Sequence, residues 1–301
     1  MKRDIYFAGG CYWGTEHLFK SIDGVCGTVV GFANGQGVAP TYEEVYTDKT
    51  GFAETVKVEY DPERVGLPFL LDCFFRSIDP FSQNRQGEDV GTRYRSGIYY
   101  TDPALLPEIK AAFQRISKRL GREPVTECEA LRCFYPAEEV HQDYLGKNPG
   151  GYCHIPLKTF RYVRLLQDLR YLLGDEQDEI AREANAAALI RERMGWFWVG
   201  FYRGIGDELV LGPFQGPPAC QRIPFGKGVC GTAWKKKESI VVPDVEQFPG
   251  HIACSAESRS EIVIPLFRDK EVRAVLDIDS KSVGEFDLTD ALWLEAIAAL
   301  V

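Results

Sequence analysis

The sequence predicts an α+β protein of two domains, residues 1–160 and 161–301, and three observations predict it. The chain has 301 residues, above the size at which one core usually stops growing. In the first half, short β-rich runs bounded by Gly, Asp or Pro alternate with helical periodicity. After the turn-forming Lys147-Asn148-Pro149-Gly150-Gly151 and Pro156, the pattern changes to consecutive helices followed by antiparallel-looking strands.

In chain order, the first half offers strands at 4–8, 25–32, 53–60 and 96–100. Helices are expected at 68–78 and around Ile109, Phe113, Ile116 and Leu120, spaced four, three and four. Pro136, followed by Glu138 and Glu139, reads as a helix start with acids in the first turn. The second half opens with helices from Tyr162 and over 175–194. Strands at 196–203, 208–211, 239–242, 261–267 and 272–280 follow, and a last helix runs over 287–300.

Hydrophobic residues make up 45% and charged residues 26%, which excludes a mostly disordered chain. No apolar run approaches the ~20 residues of a membrane helix. The N-terminus lacks the apolar core and cleavage site of a signal peptide, so the expected location is the cytoplasm. The formal charge of −9, without a long basic block, disfavours nucleic acid. Nine cysteines cannot all pair within one chain. In a reducing compartment they point to chemistry rather than to staples.

Gly9-Gly10-Cys11-Tyr12-Trp13-Gly14 separates a strand from the amphipathic stretch 15–22, whose Leu18, Phe19 and Ile22 share a helix face. Cys11 therefore falls at a helix N-terminus, where thiol pKa values drop from ~8.5 to about 3.5–7.5. A thiolate nucleophile is expected, with Tyr12 and Trp13 as an apolar wall. From the hexapeptide alone, a buried structural cysteine at a tight turn is the other reading. Alternation along 53–60 puts Glu54 on the face of Val56, Val58 and Tyr60. Burial would keep its proton on to higher pH than usual and leave an acid able to donate. A frayed, solvated strand end is the alternative.

In the second half, Cys220, Cys230 and Cys254 form no Cys-x-x-Cys pair, which disfavours a zinc ribbon. His251 and Cys254 supply two donors at most, and no metal is expected. Strand parity sets Trp196, Trp198, Gly200 and Tyr202 together, and aromatics around a glycine suit a ligand pocket. Glu261, Asp277 and Asp279 oppose apolar neighbours on their strands. Solvation explains each acid singly; with the aromatics and a loop cysteine they suit a small ligand bearing an ammonium group.

Over residues 5–153 these pieces resemble peptide methionine sulfoxide reductase A, the S-epimer enzyme. The resemblance is carried by Gly-Cys-Tyr-Trp-Gly at 10–14, Pro40-Thr41-Tyr42, Gly51 to Val56, Asn84 to Ser96, His141-Gln142-Asp143-Tyr144-Leu145 and Gly151-Tyr152-Cys153. It implies an α/β-sandwich fold in which Cys11 attacks the sulfoxide sulfur and Glu54 protonates the oxygen. Tyr42 and Tyr94 would hydrogen-bond that oxygen, Asp89 would join the polar cluster, and Tyr12 and Trp13 would hold the methyl group. Cys153 would resolve the resulting sulfenic acid, and an external dithiol such as thioredoxin would reduce the disulfide. The chain departs from the family at Tyr12, Phe52 and Glu88, where Phe, His and Asn are usual. Cys26, Cys73, Cys128 and Cys133 match no role, and Cys26 and Cys73 read as buried inert thiols.

Residues 162–301 resemble a free methionine-(R)-sulfoxide reductase built on a GAF domain. Matching segments include Trp198 to Tyr202, Leu211 to Gly216, Ala219 to Ile223, Gly226 to Ala233, Gly250 to Cys254, Ser260 to Val263 and Val275 to Ser280. Ser255 replaces a frequent Asp. The resemblance implies that Cys254 is the nucleophile, Cys230 its resolving partner and Cys220 an alternative or auxiliary thiol. Trp198, Tyr202, Glu261, Asp277 and Asp279 would grip free methionine sulfoxide. No cofactor is implied beyond the thiol reductant. A sulfoxide sulfur is a stereocentre, so one pocket serves one epimer and two pockets serve both. The rival reading makes the second half a regulatory ligand- or redox-sensing module.

Overall fold

The computed structural model of the chain describes residues 1–252 and 254–301. The chain divides into two compact units, Met1–Val163 and Arg164–Val301. The first contains β1 (Arg3–Gly9), α1 (Tyr12–Lys20), β2 (Val25–Ala33), α2 (Tyr42–Tyr46), β3 (Ala53–Tyr60), α3 (Leu67–Ser77), β4 (Arg85–Gln86), β5 (Asp89–Val90), β6 (Ser96–Tyr100), α4 (Leu106–Leu120), β7 (Glu127–Ala130), β8 (Phe134–Pro136) and α5 (Tyr144–Lys147). The division falls inside α6 (Leu157–Leu173).

Six strands form one sheet in the order β7-β6-β1-β3-β2-β8. Only the β6–β7 pair is parallel among them. On β1, Ile5 and Phe7 are buried. Phe7 stacks on Phe19 of α1 at 4.4 Å and meets Phe74 of α3 at 4.9 Å, so both helices cover the same sheet face. Phe75 of α3 meets Phe113 of α4 edge-on. The apolar helix patterns in the sequence are thus the buried stripes of real helices.

Two expectations fail here. No helix starts at Pro136, which pairs with Gly31 at the sheet edge. Ala137 N–H then donates to the Val30 carbonyl, and the Gln142 amide both donates to that carbonyl and accepts from Val30 N–H. Edge pairing with β2 outcompetes the local helix signal. Cys26 is exposed rather than buried. It is the extra residue where the β2–β3 register shifts between Val25 and Gly27, and a bulged residue loses its strand parity.

The second unit continues with α7 (Glu179–Met194), β9 (Trp198–Ile205), β10 (Glu208–Gln215), β11 (Arg222–Pro224), α8 (Gly228–Lys236), β12 (Ile240–Val242), β13 (Ser260–Arg268), β14 (Glu271–Ser280) and α9 (Leu288–Ala298). Its six strands run antiparallel in the order β11-β10-β9-β14-β13-β12. Register aligns Trp198, Asp279 and Glu261 in one row across β9, β14 and β13. The next row holds Gly200, Asp277 and Val263. A cluster of aromatics and acids on separate strands thereby shares one patch of sheet. Among the described residues, no helix is long and apolar enough to cross a membrane.

Candidate functional site

The first site grows from the turn between β1 and α1. Gly10 takes a φ of +84°, and a β-carbon there would lie 2.7 Å from Gln86 Cβ, so only glycine fits. Cys11 follows at the N-cap of α1 and is buried. Glu54, on the inward face of β3, is 2% exposed and accepts a hydrogen bond from Tyr12 N–H at 3.0 Å. Strand parity and burial have done what the pattern predicted: desolvation pushes the Glu54 carboxyl up to about 8, with Arg93 opposing the rise. Glu54 is an acid at neutral pH.

The expected lowering of the Cys11 thiol is not found. Burial pushes it well up, and the Glu54 charge adds to the rise. The Trp13 N–H, which is the contribution of the helix end, works the other way and is outweighed. Tyr42, at the start of α2, is raised to about 12 by burial, and Tyr94 is raised further, so both stay hydroxyl donors. The charge of Asp89 on β5 acts on Cys11, Glu54 and Cys153. Trp13 stacks on Tyr144 at 3.8 Å, and Tyr12 packs on Phe32 at 5.9 Å. All eight residues picked from the first half therefore converge. Cys153 and Cys11 are both free thiols.

Sequence reasoning missed several residues here. The ring of His141 stacks on Tyr42 at 4.7 Å and lies against Tyr12 and Trp13. His154 reaches the Gly9 carbonyl. Arg93 is sandwiched between the Tyr46 and Tyr94 rings and bonds Asp48 at 2.7 Å. Wide spacing along the chain hides the histidines.

The second site is a small pocket with a cavity of about 30 Å³. Trp198, Tyr202, Cys230, Cys254, Glu261, Asp277 and Asp279 all line it. His251, Ser255 and Ser258 join them unpredicted. Glu261 and Asp277 are buried and Asp279 is half-buried, rather than solvated. Desolvation and mutual repulsion raise Glu261 and Asp277 well above the usual carboxylate range, and burial brings Asp279 to about 6. Cys230 Sγ and the Glu261 and Asp277 carboxylates lie within 4.8 Å of one another, close enough to hold a metal ion. Tyr202, expected to hold substrate, donates its hydroxyl to the Cys220 carbonyl at 2.9 Å.

The implied pairing of Cys254 with Cys230 is corrected by the structure, in which Cys254 is bonded to Cys220. Cys230 is held in the first turn of α8 and buried beside Glu261, with its Sγ at 3.8 Å from Oε1. Cys220 lies in the loop that Tyr202 anchors, within 5.3 Å of Cys254 between α-carbons. Ala253, part of the matched Gly250 to Cys254 segment, lies outside the described residues.

A buried thiol beside a protonated buried acid, with a second thiol at hand, defines a thiol oxidoreductase; here it is built on an α/β sandwich and joined to a GAF-type sheet. Residues 3–169 match the peptide methionine sulfoxide reductase family and residues 175–301 match the GAF domain. The first half is 50% identical over 161 residues to the peptide methionine sulfoxide reductase MsrA of Clostridium acetobutylicum, covering 54% of this chain and 99% of that protein. It also resembles reduced Mxr1 of Saccharomyces cerevisiae, at 38% identity over 52% of this chain and 92% of that one, with a TM-score of 0.50. The substrate complex of free methionine-R-sulfoxide reductase from Neisseria meningitidis is 54% identical, covering 46% of this chain and 84% of that chain, with a TM-score of 0.46. The chain belongs to the peptide methionine sulfoxide reductase family and carries a GAF domain as its second half.

Proposed function

We propose that the chain is a bifunctional, thiol-dependent methionine sulfoxide reductase. The first half takes the S epimer, peptide-bound or free, and the second takes free methionine-(R)-sulfoxide. The observation that carries the reading is the Glu54 acid, hydrogen-bonded to the backbone of the residue after Cys11. A sulfoxide sulfur becomes electrophilic when its oxygen is protonated or strongly hydrogen-bonded. Glu54 gives its proton to the oxygen, with Tyr42 and Tyr94 as further donors, while the Cys11 sulfur attacks. Methionine leaves as the thioether, the oxygen stays on Cys11 as a sulfenic acid, and the Cys11 proton replaces the one Glu54 gave. Cys153 then forms the disulfide and releases water, and a thioredoxin-like dithiol reduces it.

In the second half Cys254 attacks and Cys220 resolves. Glu261, Asp277 and Asp279 share the work of binding the substrate ammonium and protonating the oxygen. Glu261, Asp277 and Asp279 crowd one pocket whose basic neighbour is His251, 3.6 Å from Glu261 and held toward its neutral form by burial, and an amino acid supplies a cation. Stereospecific product analysis with thioredoxin as donor tests both assignments. Cys11→Ser abolishes S-epimer turnover and spares the R epimer; Cys254→Ser does the reverse. The Cys220–Cys254 disulfide beside the pocket also fits a redox sensor. Persistence of R-epimer turnover in Cys254→Ser decides for that second reading.

A further inference from the structure

His154 has no part in the chemistry described so far. Its Nε2 stands 2.8 Å from the Gly9 carbonyl. A carbonyl oxygen only accepts, so Nε2 carries the ring hydrogen and Nδ1 holds the lone pair. That Nδ1 is buried and, among the described residues, has no hydrogen-bond partner. Burial lowers the imidazole pKa, which keeps the ring neutral. A β-carbon on Gly14 would lie 3.0 Å from Cys153 Sγ and 3.1 Å from His154 Nδ1. Thiol and lone pair thus flank the same small gap over the first turn of α1, the helix that Cys11 begins. The Cys153 thiol donates to the Ile155 carbonyl at 3.4 Å, and burial pushes its pKa up. A thiol in that condition needs a base before it can attack.

The geometry points to His154 as the general base of the resolving step, a role that rests on the reading of Cys11 as nucleophile and Cys153 as resolver. Rotation of Cys153 about its Cα–Cβ bond moves its hydrogen from the Ile155 carbonyl to His154 Nδ1. The imidazole takes the proton, and the thiolate electron pair forms the Cys153–Cys11 bond as the S–O bond of the Cys11 sulfenic acid breaks. The departing hydroxide recovers the proton from the imidazolium and leaves as water. Cys153 sulfur is oxidised, Cys11 sulfur is reduced, and Nδ1 regains its lone pair. Asp89, whose charge acts on both His154 and Cys153, stabilises the imidazolium while it exists.

The test uses the full chain, fully reduced, with one equivalent of doubly blocked methionine-(S)-sulfoxide and no added reductant. His154→Gln keeps a donor for the Gly9 carbonyl and removes the basic nitrogen. Rapid quench follows thioether release, and thiol counting with dimedone trapping follows the two cysteines. Thioether release should stay within about twofold of wild type, while disulfide formation slows on the order of 10²-fold and dimedone-labelled Cys11 accumulates. Equal slowing of both steps means that His154 merely shapes the Gly9–Cys11 turn, and it overturns the proposal. Disulfide formation at the wild-type rate overturns it too. Cys153→Ser is run alongside and should trap the Cys11 sulfenic acid. If that variant still closes a disulfide on Cys11, the assignment of the resolver has failed rather than that of its base.

Discussion

The two sites solve related problems with different numbers of acids. The first isolates one carboxyl, Glu54, beneath a cysteine-bearing turn and ties it to a backbone N–H. The second crowds Glu261, Asp277 and Asp279 around Cys230 on neighbouring strands. Burial dominates the rise at Glu54, with a smaller push from Asp89, whereas repulsion within the acid cluster itself adds to the rise at Glu261 and Asp277. A lone neutral acid accommodates a sulfoxide side chain that brings no charge, as in a peptide. A surplus of acids asks for a cation, which a free amino acid carries. On the proposed reading, the number of acids in each site separates the two substrates.

The sharpest break between the sites is Glu54→Gln. S-epimer kcat should fall by roughly 10²–10⁴-fold, the usual worth of a positioned acid, while R-epimer turnover is unchanged. Since Glu54 is raised to about 8, its acid form dominates below that pH, and S-epimer turnover declines as pH rises through it. Stability follows the same sign. The folded carboxyl titrates at about 8 against the ordinary 4.5 of an unfolded glutamate, so the folded chain holds the extra proton between them and loses stability as pH climbs. Glutamine does not titrate, and Glu54→Gln should melt above wild type at pH 8 by several degrees, with the gap closing at pH 5. A constant gap across that range would show that the carboxyl is not titrating in the folded chain.

The next effect belongs to the second site. Asp277→Asn should raise KM for free methionine-(R)-sulfoxide by about 10- to 100-fold, the scale of a lost charge-assisted bond. S-epimer kinetics should not move. If KM is unchanged and kcat falls, Asp277 is the proton donor and the ammonium belongs to Glu261 and Asp279.

Most of both sites was legible because strand parity is a hard constraint: Glu54, Asp277 and Asp279 had to share faces with what lay two residues away. Parity failed at Cys26, where a bulge removes it; at Pro136 the local helix signal gave way to pairing with β2. Disulfide choice was not legible either. It depended on Tyr202 holding the Cys220 loop and on α8 fixing Cys230 in its first turn. His141, His154 and Arg93 escaped because tertiary packing, and no local pattern, brings them to Cys11. The Cys11 pKa is not legible from a helix end alone, because the burial that accompanies it outweighs the Trp13 N–H.

Arg93 offers a smaller test within the first site. Its guanidinium bonds Asp48 and the Tyr46 carbonyl, lies over the Tyr46 and Tyr94 rings, and acts on Glu54. Arg93→Gln should lower S-epimer kcat by roughly tenfold through loosened tyrosine donors. Its second effect is diagnostic: without that positive charge Glu54 rises further, and the alkaline limb of the pH profile moves to higher pH. An unmoved limb would confine Arg93 to packing.

The smallest effect is expected at thiols outside both sites, and it guards every thiol count above. Cys26 is exposed on its bulge and Cys73 is fully buried in α3. Cys26→Ser removes no core volume, so stability should stay within about 0.5 kcal/mol and both activities should be unchanged. Under native conditions an alkylating reagent should reach Cys26 at the same rate in reduced and oxidised protein, whereas Cys73 stays unlabelled until the chain unfolds. Labelling of Cys26 that changes with oxidation would mean that this thiol pairs during turnover. The separation of two closed redox pairs, one in each half, would then be wrong.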